Sequence, residues 1–189
     1  RNLSIAGANL EGANAAGADL SATDLRDATL TSANLEKAKM VRASLANAKA
    51  DKANFSRVEG YRTDFKGLSA QGAVFQGAEL QRADFTDAVL SGANFEKAEL
   101  GRARFKGATL ADNRFAFANL ARANLSGAKV GGAMDFSGAY TFLTRIEGVD
   151  LSAATGLVQA QIDLSCGDGK TKLPAGLTAP ANWPCGGAD

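Results

Sequence analysis

Histidine is absent from this 189-residue chain. Without it there is no Ser–His–Asp or Cys–His relay and no imidazole metal ligand. Cysteine is nearly absent: Cys166 and Cys185 stand alone, and two thiols nineteen residues apart make no zinc site. Residues 1–156 hold no proline, which leaves a backbone hydrogen-bond ladder uninterrupted; Pro174, Pro180 and Pro184 all lie near the C-terminus. Aromatic residues make up 7% of the chain and are mostly Phe. Neither sign of charge dominates. The formal net charge is +1, and residues 1–156 carry 19 Lys and Arg against 17 Asp and Glu. A nucleic-acid binder's basic excess is missing, so no nucleic-acid partner is expected. No apolar run reaches the ~18 residues of a membrane span. Gly169-Lys170-Thr171 looks like the end of a phosphate loop, but the loop's first glycine would have to stand at Leu164. Neither an enzyme nor a cofactor is expected.

What is present is a period of five. Aligned on Leu10, Leu20, Leu25, Leu30 and Leu35, 26 central positions run from Ile5 to Val130, and 22 of them hold a large apolar residue. The exceptions are Ala15, Ala50, Gly60 and Ala70. Two residues earlier stands Ala, except at Leu3, Thr23, Val58, Thr63, Leu68 and Asn113. The unit is Ala-(Asn/Asp)-(Leu/Phe)-x-x. On a helix, steps of five turn by about 140° and would scatter the Leu and Phe around the cylinder. Within a unit, Ala and Leu/Phe are two apart, so strand parity puts both on one side. Five is odd, however, so a straight strand would flip its apolar face at every repeat. Both sets stay inside only if the chain turns a corner in each unit, and four corners close a coil.

Two longer periods agree with four faces. Phe55, Phe65, Phe75, Phe85, Phe95, Phe105 and Phe115 recur every ten residues, which places them on two opposite faces. Arg42, Arg62, Arg82, Arg102 and Arg122 recur every twenty and form one column along one edge.

Stretches such as Ala93-Asn94-Phe95-Glu96-Lys97 and Ala83-Asp84-Phe85-Thr86-Asp87 resemble the pentapeptide-repeat family, from residue 1 to about 156. The resemblance implies an all-β fold: a right-handed quadrilateral β-helix with Ala and Leu/Phe inside. Most members of the family have no known function. The best understood resemble DNA and bind type II topoisomerases, giving resistance to fluoroquinolones or natural gyrase poisons. The plasmid-borne quinolone-resistance relatives carry protruding loops, and no long insertion here could form one.

The pattern slips in three places. At Ala50, Gly60 and Ala70 the centre is small, while Val58 and Leu68 are larger than the usual Ala; this reads as local repacking. The frame shifts by one near Gly131–Ala133, which suggests a bulge or a wider corner. From residue 157 the repeat ends, dividing the chain into a solenoid over 1–156 and a capping tail over 157–189. Val158–Ser165 reads as a short helix that plugs the end of the solenoid, with Gly167 stopping it and Trp183 packing on it. Asp163-Leu164-Ser165-Cys166-Gly167-Asp168 followed by Lys172-Leu173-Pro174 looks similar to the ends of bacterial members of the family. A disulfide between Cys166 and Cys185 would tie the tail back, contributing ~3 kcal/mol by loop entropy. It implies a periplasmic or other oxidising compartment; the alternative is two free thiols in a cytoplasmic protein. Arg1 is no natural start and leaves room for a signal segment ahead of it.

The arginine column is the candidate interaction stripe: Arg42, Arg62, Arg82, Arg102, Arg104, Arg114 and Arg122. Five guanidinium groups at coil spacing repel one another. Glu59, Glu79 and Glu99, three residues before an arginine, and Asp64 and Asp84, two after one, offer counter-charges. The expected outcome is a self-neutralised ladder; the alternative is an anion-binding stripe, barest at Arg102, Arg104, Arg114 and Arg122. The functional expectation is a non-catalytic scaffold for an unknown protein partner, a monomer or weak dimer ~35 Å long from strand spacing. Its rival is a DNA-mimicking modulator of gyrase, which requires a negative surface that the balanced charges do not supply.

Overall fold

In the computed structural model, which describes residues 2–186, the repeat closes into a right-handed coil of four faces. The coil follows from one local device. At most corners the amide three residues past a centre donates to the centre's carbonyl, as Ala88 N does to Phe85 O and Ala98 N to Phe95 O, both at 3.0 Å. The residue between them adopts a positive φ, 60° at Asp87 and 59° at Lys97. Those two features mark a type II turn. The outward Asn or Asp reinforces it: Asn94 Oδ1 accepts from Glu96 N at 2.9 Å and Asp84 Oδ1 from Thr86 N at 2.9 Å.

Each face is short, so most of the sheet consists of single parallel bridges between residues twenty apart, such as Asp64↔Asp84 and Glu79↔Glu99. Two segments are long enough to be strands, β1 (Thr109–Ala111) and β2 (Lys129–Gly131), paired in parallel with Leu110 opposite Val130. The extra residue is absorbed straight after β2. Asp112 Oδ1 accepts from Ala133 N at 2.9 Å, and the next bridge, Arg114↔Asp135, spans twenty-one residues.

Inside, the phenylalanines form two columns. Phe55, Phe75, Phe95, Phe115 and Phe136 stack with centroids 4.8–5.4 Å apart, and Phe65, Phe85 and Phe105 stack at 4.7 and 5.2 Å. The columns meet edge to face at 5.7–6.2 Å. Leu80, Phe85, Leu90, Phe95, Leu100 and Phe105 are all fully buried. The small centre at Gly60 is filled from the next coil, because a Cβ there would sit 2.8 Å from Leu80 Cδ2. Polar residues at inward sites are held by backbone carbonyls: Thr63 Oγ1 lies 2.8 Å from Met40 O, and Asn113 Nδ2 donates to Leu90 O at 2.7 Å.

The ladder does not stop at residue 156. Arg145↔Cys166 and Asp150↔Lys172 pair the tail with the last coil. A helix, α1 (Gln159–Leu164), crosses the open end with Ile162 buried. Gln161 replaces the backbone groups a further coil would supply: its Nε2 donates to Phe136 O and Ala139 O, and its Oε1 accepts from Val158 N. Ser165 closes the helix, donating its amide and its hydroxyl to Ile162 O. Gly167 has another role than the helix stop expected of it. A Cβ there would lie 2.5 Å from the Trp183 ring, so the glycine makes room for the indole, whose Nε1 donates to Ser165 O at 2.9 Å.

Candidate functional site

The arginine column sits where the corner turns. Arg42, Arg62, Arg82, Arg102 and Arg122 occupy left-handed corner positions, with φ between 54° and 60°. Their amides donate across the coil, Arg62 N to Gln81 O at 3.0 Å and Arg102 N to Ala121 O at 2.9 Å. From there the side chains line an open groove of about 430 Å³ along the solenoid axis, with Arg104, Asn124 and Asp84 on its other wall. Six of the seven arginines picked out in the sequence are brought together. Arg114 is not among them; it pairs with Glu96 at 3.2 Å.

The expected neutralisation does not form. Among the described residues, no ion pair joins any of the five column arginines to a carboxylate. The reason is where the side chains go. Glu59, Glu79 and Glu99 project from the middle of the face before the corner and stack in the ladder on one another. The arginines share their groove with residues of the face after it. On that face Asp84 binds the Thr86 amide, and Lys66 Nζ lies 4.0 Å from Asp64 and 3.9 Å from Asp84. The groove thus gathers six positive charges against one carboxylate. Tyr61 registers the field: a hydrogen bond from Arg62 Nε at 3.0 Å, with added pull from Arg82 and Arg42, holds its phenol below the ordinary tyrosine range.

Two exposed aromatic residues beside Arg122 at one end of the groove, and a third on the neighbouring corner, are not among the residues singled out in the sequence. Phe117, Tyr140 and Phe142 are 61%, 50% and 36% exposed. Tyr140 and Phe142 stack at 6.2 Å, and the Arg122 guanidinium lies 5.7 Å over the Phe142 ring. Phe117 lies over Gly138, where a Cβ would come within 2.5 Å of its ring. The signal was legible: each stands at an outward site of the unit, where neighbouring coils carry Asn119, Lys97 or Ala121.

Cys166 and Cys185 are bonded, with their Cα atoms 5.5 Å apart. Among the described residues, no cluster of His, Cys, Asp and Glu could hold a metal, and no helix is long and apolar enough to cross a membrane.

Comparison with known proteins shows the same architecture. The family described as "Pentapeptide repeats" matches in eight copies, over segments between residues 4 and 140. HetL, a pentapeptide repeat protein involved in heterocyst differentiation regulation from the cyanobacterium Nostoc sp. strain PCC 7120, is 22% identical over 94% of this chain and 81% of its own, with a TM-score of 0.50. QnrB1, a plasmid-mediated fluoroquinolone resistance protein, is 17% identical over 91% of this chain and 94% of its own, with a TM-score of 0.48. No curated protein sequence matches the chain.

Proposed function

Since the chain belongs to the pentapeptide-repeat family, we propose that it is a non-catalytic interaction scaffold whose groove-bearing edge binds a protein partner. The observation that carries this reading is the exposed, stacked pair Tyr140 and Phe142 set against Arg122. Aromatic and arginine side chains supply most of the binding energy at protein interfaces, and an apolar patch with a charged rim marks such a surface. The scaffold behind it is stiff, because every face is hydrogen-bonded to the coils on both sides. Chemistry is not what the surface is built for. Asp24 is pulled toward ionisation, to about 2, chiefly by its bond from Arg26, which is the opposite of what a general acid needs. The Cys166–Cys185 bond fits an oxidising compartment such as a periplasm.

The test is affinity capture from extract of the source cell, comparing the wild type with a Tyr140→Ala/Phe142→Ala variant of equal melting temperature. A discrete protein should be retained by the wild type and reduced at least about tenfold by the variant, as loss of two interface anchors implies. Equal capture by both would overturn the reading.

A further inference from the structure

The groove's repeat and its one-sided charge narrow the chemistry of what it receives. Its five column arginines are spaced by the coil, and the phenylalanine stacks measure that step at 4.7–5.2 Å over the same stretch. Five such positions cover about 20 Å. A ligand that meets them all must present anionic groups at nearly this interval, in a line.

Three carriers of linear negative charge can be compared. An extended peptide places same-side carboxylates about 6.8 Å apart, so it falls out of step within two coils. Each strand of a DNA duplex rises about 3.4 Å along the axis per phosphate. An α-helix with Asp or Glu at positions three and four apart presents one carboxylate per turn, about every 5.4 Å. Over four steps the helix and the column drift apart by about 2 Å, which the long arginine side chains absorb. The surroundings make the same choice. Glu59, Glu79 and Glu99 run beside the column, and Asp64 and Asp84 lie on the face beyond it. A ligand charged all round would press negative groups against both rows. A helix with acids confined to one stripe would not.

On these grounds, and resting on the scaffold reading above, we propose that the groove is the docking site for an α-helix of the protein partner, gripped through a single stripe of Asp and Glu. Asp84 occupies the middle of the groove, whereas Arg102, Arg104 and Arg122 stand together beyond it with Asn124. The acid-richest turns therefore lie at that end. The next turn of the helix reaches Phe142 and Tyr140, so it carries an apolar residue. The column stands at left-handed corners, where glycine fills many of the equivalent positions, for example Gly72 and Gly92 on another edge. Arginine is held there against a backbone preference.

The experiment is fluorescence anisotropy with the disulfide-bonded chain and labelled probes. One probe is a helix-favouring peptide of about five turns with Glu along one stripe and a terminal Leu. The second has the same composition with the Glu dispersed around the helix. The third is single-stranded oligo-dT, and the fourth inorganic polyphosphate. The striped peptide should bind at least about tenfold more tightly than the dispersed one and weaken steeply with salt. Its binding should be lost in Arg62→Gln/Arg82→Gln/Arg102→Gln and kept in Arg57→Gln, a corner arginine on a different edge. Equal binding of both peptides, tighter binding of oligo-dT or polyphosphate, or no peptide binding at about 1 mM would overturn the proposal. If capture of a partner still depends on Tyr140 and Phe142 in that event, the scaffold reading stands and only the helix is lost.

Discussion

At the scale of single residues, the solenoid separates what holds it from what it displays. Phe85 is fully buried, stacked on Phe65 and Phe105, and edge-on to Phe75 and Phe95. Phe85→Ala should cost about 3–5 kcal/mol, measured by denaturant unfolding. The displayed residues should behave in the opposite way. Arg82 sits at φ 59°, so Arg82→Gly exchanges backbone strain for unfolded-chain entropy, two effects of about 1 kcal/mol each and of opposite sign. Its melting temperature should stay close to the wild type while peptide binding falls; a large loss of stability would show that the arginine is structural. With histidine absent, the pH response below neutrality follows from carboxylates alone. Asp24, Asp135, Asp150 and Asp168 are all lowered, chiefly by hydrogen bonds from Arg26, Ser137, Ser152 and the Lys170 amide respectively. A lowered native pKa gives stability that is complete above the unfolded value and is lost as pH falls through the folded one. Melting temperature should therefore hold through the range where histidine would titrate and fall only below about pH 4, toward pH 2. A step between pH 6 and 7 would contradict this.

At the scale of elements, the body was legible in the sequence and its trimmings were less so. The inward parity of Ala and Leu/Phe, with an odd period, forced the corners, and the ten-residue recurrence of Phe fixed two opposite faces. Gly60 and the frame shift near Gly131 were visible as breaks in the count. The failures came where a side chain's direction matters and spacing is silent. Glu59 is three residues from Arg62, yet the corner between them turns the two side chains onto different faces. Gly167 could be read as a helix stop because α1 ends nearby, but its role depends on Trp183, sixteen residues later. The bond between Cys166 and Cys185 closes that same segment over the last coil. Reducing it, or Cys185→Ser, should release up to about 3 kcal/mol of chain entropy confined to the cap. Hydrogen exchange is the check: amides of α1 and residues around Trp183 should lose protection while those of coils near Phe85 keep theirs. Uniform loss would mean that the cap and the body unfold together.

At the scale of the molecule, charge argues against the DNA-mimic reading. DNA carries one negative charge per ~1.7 Å of axis, so a rod of ~35 Å would need on the order of 20 net negatives to imitate it. Residues 1–156 carry 19 basic and 17 acidic groups, and one edge gathers six arginines around a groove. A surface evolved to hold DNA is itself positive and should be repelled by that edge. Purified protein should neither inhibit gyrase supercoiling nor protect it from a fluoroquinolone at about 1–10 µM, far below weak-binding range. Inhibition or protection there would restore the rival.

The ladder that pairs each residue with one twenty positions away also sets how the rod answers force. Pulled from its N-terminal end, a coil's backbone bonds are loaded a few at a time rather than together, so the molecule should peel. Each coil that comes away frees twenty residues, about 70 Å of slack, before tension reaches the next. The first coils, where Leu3 is largely exposed and Ile5, Leu10 and Leu20 are half-buried, yield under the lightest load. Resistance then rises at the stacked phenylalanines from Phe55 onward. The far end is bolted by the tail. Mechanically the chain is a zipper with its stop at the tail.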